Sequence, residues 1–172
     1  MKVSTNVEFL LDDSSSMNSV QSKVQQIVPK VFKALHDEGI AGKVTFHSFN
    51  RSSKCSDFEH AEQGFDYSTN GLTPLTNTMQ RILKNIPSNS LLLVLSDGGD
   101  DGGIKTAKKI SAAVRNTITA KNCQIAFITE GDEALEYARQ AGVFNTVNFS
   151  KSDMTLLGRL IENSVRNFAS VV

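Results

Sequence analysis

Cysteine is scarce in this 172-residue chain, which contains only two cysteine residues and three prolines. Cys55 and Cys123 lie far apart, and no cysteine–histidine cluster surrounds either of them. Two cysteines do not specify a disulfide framework, so we interpret both as free thiols in a reducing compartment. We therefore predict a cytoplasmic location.

Long apolar runs and an excess of charge are lacking as well. No run approaches the ~20 apolar residues that cross a bilayer, and the apolar stretch at the amino terminus is too short for a secretory signal. We therefore expect no membrane span. The 18 basic residues are balanced by 18 acidic residues, and no basic stripe stands out. Nucleic acid is consequently not an expected partner.

The composition that remains is ordinary for a soluble globular protein, with 40% hydrophobic and 21% charged residues. The length suits one domain, which we predict to span residues 1–172.

Apolar runs alternate with helical periodicity along the chain, which predicts an α/β fold with a mostly parallel, doubly wound sheet. We predict strands at residues 7–11, 43–49, 54–58, 90–96, 124–129 and 145–149. We predict helices at residues 20–35, 75–86, 104–118, 133–140 and 153–172. Pro29 should kink or break the first helix because proline lacks an amide donor. Residues 59–76 read as a long surface loop, and loops of this length are often functional.

Two of the predicted strands end in carboxylates within polar loops. The first is followed by Asp12, Asp13 and three serines at 14–16, and the strand at 90–96 is followed by Asp97. Ligands bind outside the carboxyl ends of parallel strands, where oxygen-only ligands suit Mg²⁺, and also Mn²⁺ or Ca²⁺. The alternative is that these residues only end a strand and cap the next helix. Two neighbouring carboxylates repel each other unless a cation or a proton lies between them, which favours the metal.

Three motifs occur together in order: Asp12-x-Ser14-x-Ser16, then 71–75 (GLTPL), then 95–98 (LSDG). Together they resemble the metal-ion-dependent adhesion site of the von Willebrand factor type A domain, over essentially the whole chain. The resemblance implies a three-layer, Rossmann-like fold with a six-stranded sheet and an antiparallel edge strand near residues 54–58. It further implies that the metal ligands are Asp12, Ser14, Ser16, Thr73 and Asp97.

The same resemblance implies a non-catalytic function. The cation, expected to be Mg²⁺, would take a Glu or Asp side chain from a partner protein at its open coordination position. An AAA+ ATPase is one partner that the resemblance suggests for an intracellular member. The chain departs from many relatives at Ser15, where they carry glycine. Asp13, Asp100 and Asp101 add negative charge near the site, and we expect all three to be solvated.

Two other functions remain as alternatives. A phosphoacceptor receiver domain would use Asp12, Asp13 and Mg²⁺, but it needs a lysine after its fifth strand, and the fifth predicted strand ends in Thr129-Glu130-Gly131. A hydrolase with Ser14 or Ser16 as nucleophile would need a nearby base. The histidines at 36, 47 and 60 form no recognisable triad arrangement, and we expect His47 to be a packed or solvent-facing residue.

Overall fold

The fold is described by a computed structural model, which covers residues 3–37, 40–49, 54–57, 69, 71, 74–98, 100 and 103–148. Within these residues no helix has the length and apolar character required to traverse a bilayer. The predicted helix at 153–172 lies outside the described residues, as does most of the surface loop predicted at 59–76.

Six strands form one sheet in the order β3-β2-β1-β4-β5-β6. Five of them run parallel, and β3 pairs antiparallel with β2 at one edge. Their bounds are β1 Val3–Leu11, β2 Ile40–Ser48, β3 Lys54–Asp57, β4 Ser90–Ser96, β5 Gln124–Thr129 and β6 Thr146–Asn148. The predicted doubly wound α/β fold is confirmed.

Four α-helices and two 3₁₀ helices lie in the described part of the chain. The α-helices are α1 Gln21–Asp37, α2 Leu75–Asn85, α3 Ser111–Ala120 and α4 Gly131–Ala141. The first 3₁₀ helix is Ser15–Val20, and the second is Ile104–Ile110. The single helix predicted at 104–118 is therefore a 3₁₀ helix joined to α3. Apolar spacing does not distinguish the two, because both place residues three apart on the same side.

The sheet separates two hydrophobic clusters. On one face the odd-numbered residues Phe9 and Leu93 pack against α1, and on the other Leu10 and Val94 pack with α2, α3 and α4. β4 is buried along its whole length, as expected for a central parallel strand covered on both sides. This arrangement explains why the apolar runs of β1 and β4 are continuous rather than alternating.

α1 continues through Pro29 without a break, so a break at this proline was a wrong prediction. The buried stripe of α1 extends on both sides of the proline, from Val24 to Leu35. Burial of each such side chain contributes roughly 1.5–3 kcal/mol, and the stripe as a whole outweighs a penalty of about 3 kcal/mol for proline inside a helix.

A polar pair interrupts the apolar face beneath α2. His47 Nε2 lies 2.5 Å from Glu8 Oε2, and both side chains are largely buried. His47 is thus a packed histidine, one of the two arrangements expected from the sequence.

Candidate metal centre

Asp12 lies at the point in the sheet where the order of the strands reverses. It follows Leu11, which is paired with Leu95 of β4, and its backbone N–H donates to the Leu95 carbonyl at 2.9 Å. From β1 the chain proceeds to β2 on one side, whereas β4 and β5 continue on the other. Such a switch point opens a crevice at the carboxyl ends of the two central strands.

The carboxylate of Asp12 is fully buried and hydrogen-bonded through both oxygens. Oδ1 accepts the backbone N–H of Ser14 at 2.9 Å and the Ser14 hydroxyl at 2.5 Å. Oδ2 accepts the hydroxyl of Ser96 at 2.6 Å. Charge-assisted bonds of this kind hold a buried carboxylate in one orientation.

Burial raises the pKa of the Asp12 carboxyl to about 6. The hydrogen bonds from Ser14 and Ser96 lower this pKa, and the neighbouring charge of Asp97 raises it further. The two carboxylates predicted to meet at this edge therefore do interact electrostatically. Burial is the main cause of the raised pKa, and a bound cation would offset the same cost of a buried negative charge.

Ser14 and Ser16 place two hydroxyl oxygens side by side next to Asp12. Their Oγ atoms are 3.0 Å apart; Ser14 is buried, whereas Ser16 is exposed. An octahedral cation with bonds of ~2.1 Å holds adjacent oxygens ~3.0 Å apart. A hydroxyl that donates its proton to Asp12 still has lone pairs for a cation. The spacing therefore fits a hard divalent ion.

The segment that carries Thr73 is attached to the first loop. The Ser15 N–H donates to the Gly71 carbonyl at 3.2 Å, and the Gly71 N–H donates to the Ser15 hydroxyl at 3.1 Å. The Thr69 hydroxyl also donates to the side chain of Asn18. Thr73 itself lies outside the described residues, so its assignment as a ligand stays a prediction.

Asp97 stands between two residues whose positions are tightly set. The Ser96 hydroxyl accepts the Gly98 N–H at 3.0 Å while it donates to Asp12. Gly98 has φ +81°, and a Cβ placed there would lie 2.2 Å from the Cα of Ala134 in α4. No other residue fits at position 98, because the backbone of α4 cannot yield as a flexible side chain would.

Ser96 and Glu130 belong to this edge of the sheet, although sequence reasoning did not select them. The Glu130 N–H donates to the Ser96 carbonyl at 3.0 Å. Burial raises the pKa of the Glu130 carboxyl, and Lys23 and Asp97 shift it in opposite directions. Its Oε2 is buried without a hydrogen-bond partner among the described residues. Their position after parallel strands was the available signal.

The expectation that Asp13 and Asp100 are solvated was wrong. Asp13 is only 4% exposed, and its Oδ1 accepts the Phe49 N–H at 3.0 Å, which ties the first loop to the end of β2. Asp100 is half-buried and binds Thr76. Both carboxylates bind chain segments remote in sequence, which local polarity does not reveal. Asp101 lies outside the described residues.

The donor set that results consists of oxygens alone. Among the described residues no three His, Cys, Asp or Glu side chains converge, so a cation here would depend on the serine hydroxyls as well as on the carboxylates. Such a set is suited to Mg²⁺ or Mn²⁺ rather than to a soft metal that prefers thiolate or imidazole. The residues present therefore fit the predicted ion.

Neither a protein-family model nor a curated protein sequence matches this chain. Solved structures do match it. Manganese-loaded TRAP protein from Plasmodium vivax superposes with a TM-score of 0.64 at 14% identity, over 94% of this chain and 73% of that chain. A von Willebrand factor type A structure from Catenulispora acidiphila gives 0.57 at 19% identity, over 98% of this chain and 43% of that chain.

The chain has the von Willebrand factor type A fold. A third match, an aerotolerance-related membrane protein from Bacteroides fragilis, has a TM-score of 0.59 at 13% identity and covers 95% of this chain and 99% of that chain. At these identities the likeness is one of fold. The comparisons therefore identify neither a metal nor a partner for this chain.

The raised pKa of Asp12 predicts how the stability of the metal-free protein depends on pH. Because the native carboxyl has a pKa of about 6 and the ordinary value is 3.8, the native state binds the extra proton. This contribution is fully present below pH ~4 and is lost as pH rises through ~6, a change of about 3 kcal/mol. Asp12→Asn cannot ionise and should lack that loss.

Urea denaturation in chelator at several pH values measures this effect. The free energy of unfolding of the wild type, relative to Asp12→Asn, should fall by about 3 kcal/mol between pH 3 and pH 8. The comparison cancels the groups that titrate equally in both proteins. Parallel pH profiles for the two proteins would contradict the assigned pKa.

Proposed function

We propose that this chain is a non-catalytic protein-interaction module that binds an acidic residue of a partner protein through a divalent cation. Asp12, Ser14, Ser16, Thr73 and Asp97 would hold the ion, for which Mg²⁺ is our first choice. The observation that carries the proposal is the pair of serine hydroxyls, 3.0 Å apart, beside the buried carboxylate of Asp12.

The chemistry of these ligands supports an open coordination position. Three of them are neutral hydroxyls, so a bound Mg²⁺ keeps affinity for a further anionic oxygen. Ser16 is exposed whereas Asp12 and Ser14 are buried, so the site opens towards solvent on the side of Ser16. A glutamate or aspartate from another protein could reach the ion from that side.

The cellular setting of the proposal comes from the sequence alone. The free thiols favour the cytoplasm, and Cys123 is a buried free cysteine. An AAA+ ATPase is a partner suggested by the motif resemblance, and the fold comparison adds no support for it. The proposal therefore specifies the partner by its carboxylate.

Calorimetric titration with Mg²⁺ and Mn²⁺ tests the site. Ser14→Ala and Asp97→Ala should each weaken binding on the order of tenfold or more, at least the loss expected for an outer-shell partner. Thr119→Ala is the matched control, because it removes an exposed hydroxyl that bonds only locally to the Arg115 carbonyl in α3. Equal affinity of all four proteins would refute the ligand assignment.

The interaction itself can be tested by affinity capture from a cell extract. A partner should be retained by the wild type in Mg²⁺, released by chelator, and absent from Ser14→Ala. The Thr119→Ala protein should retain it. Capture that is insensitive to both chelator and Ser14→Ala would show that the partner does not bind through the cation.

The strand order gives the receiver-domain alternative more support than the sequence did. β3 is antiparallel, so the parallel strands in chain order are β1, β2, β4, β5 and β6. The third of these is followed by Asp97, and Lys151 comes three residues after the fifth. The objection that no lysine follows the fifth strand counted the edge strand, and it was wrong. Asp97 would then be the phosphoacceptor.

Beryllofluoride distinguishes the two functions, since it mimics a phosphoryl group on aspartate. With Mg²⁺ present we expect no fluorine resonance from a protein-bound complex, because the paired hydroxyls of Ser14 and Ser16 serve a cation and have no role in a phosphoacceptor. A bound complex that is lost in Asp97→Asn would favour the receiver function instead.

A further inference from the structure

Four polar side chains from four separate segments meet at the first turn of α2. Thr76 Oγ1 donates to Asp100 Oδ2 at 2.8 Å, and the Thr76 N–H donates to Asp100 Oδ1 at 3.2 Å. Thr106 of the second 3₁₀ helix and Tyr137 of α4 each lie 2.9 Å from the Thr76 hydroxyl. Thr106 also bonds to Asp100 Oδ2. We call these four residues the Asp100 cluster.

The three hydroxyl protons of the Asp100 cluster are shared among five close oxygen–oxygen contacts. The Thr76 hydroxyl has one proton, which it gives to Asp100, and two lone pairs that can accept from Tyr137 and Thr106. Both Asp100 oxygens accept, and the Thr106 proton has a further acceptor in the Gly103 carbonyl at 2.7 Å. Thr76 and Tyr137 are buried, and the contact between them is shielded from water, whereas Asp100 and Thr106 are partly buried. A hydrogen-bonded network of this kind favours one arrangement of its members.

Asp100 joins two loops of the candidate metal site. Thr76 follows Thr73 by three residues, and Asp100 follows Asp97 by three residues. Three residues span at most ~11 Å, so each end of the cluster lies close to a proposed ligand.

We propose that Asp100 is a positioning residue that sets the distance between the second and third ligand loops, and so tunes cation affinity. The inference rests on the proposed function. We assign Asp100 this supporting role because its carboxylate binds the start of α2 through both oxygens, three residues beyond the proposed ligand Asp97. Its effect passes through the backbone at residues 73–76 and 97–100.

Asparagine can replace Asp100 in this cluster, so Asp100→Asn distinguishes an effect of side-chain position from an effect of negative charge. Oδ1 would still accept the Thr76 N–H, and the amide would donate to the Thr76 hydroxyl, which would turn to donate to Thr106. The Thr106 proton would then go to the Gly103 carbonyl. The second amide proton would meet water in a cavity of about 220 Å³ lined by Asp100, Asn77 and Gln80.

Mn²⁺ titration followed by electron paramagnetic resonance tests the inference on folded protein, well below its unfolding temperature. Asp100→Ala should weaken Mn²⁺ binding by about tenfold or more, as loss of an outer-shell partner does. Asp100→Asn should stay within about threefold of the wild type, because it keeps the link. Loss of stability alone does not change the affinity of the molecules that remain folded.

Two threonine substitutions provide an independent test in case Asp100→Ala does not fold. Thr76→Val removes only the hydroxyl bonds and should weaken Mn²⁺ binding measurably. Thr78→Val alters another buried threonine of α2 outside the Asp100 cluster, and should bind like the wild type.

Equal weakening by Asp100→Ala and Asp100→Asn would overturn the inference, since charge and not position would then be the cause. Affinity unchanged in both Asp100→Ala and Thr76→Val would likewise overturn it, while the metal site itself would stand. A wild type that binds no Mn²⁺ would overturn the proposed function and this inference together.

Discussion

Burial of the Asp12 carboxylate at the junction of β1 and β4 is the constraint on which the rest of the site depends. An ionised carboxylate without partners in such a place is costly, so the chain surrounds it with donors from Ser14 and Ser96. Ser14 lies in the loop after β1 and Ser96 is the last residue of β4, so the pairing of these two strands is part of the site. The raised pKa of Asp12 shows that the donors alone do not offset the burial and the nearby charge of Asp97. A divalent cation would complete the balance.

Hydrogen bonds between loops support this arrangement from the sides. Ser15 exchanges two bonds with Gly71, Asp13 binds the end of β2, and Asp100 links the start of α2 to the loop after β4. Each link is short and specific, and each joins segments that are far apart in sequence. The loops around the crevice are therefore held largely by side-chain hydrogen bonds rather than by secondary structure. Substitution of a linking residue is for this reason expected to change cation affinity.

Much of the architecture could be predicted from local patterns. The five parallel strands and the α/β alternation followed from apolar runs and helical spacing, because burial on both faces of a sheet leaves a continuous run. The continuation of α1 through Pro29 could not be predicted, since it depends on how strongly the buried stripe from Val24 to Leu35 packs. The 3₁₀ geometry at Ile104–Ile110 and the burial of Asp13 and Asp100 were also missed. For the two carboxylates the partner group, Phe49 or Thr76, lies in a distant part of the chain.

The sequence by itself determined which oxygens are available: a carboxylate and two hydroxyls after β1, and a second carboxylate after β4. Their chemistry follows from residue type and does not need coordinates. Only the tertiary structure decided that Ser14 and Ser16 stand 3.0 Å apart, that Ser96 completes the shell of Asp12, and that Asp97 lies close enough to perturb its pKa. The physical reason is that parallel pairing of Leu11 with Leu95 brings Asp12 and Ser96 together, although they are separated by 84 positions in the sequence. Distances set by sheet register are absent from any local pattern.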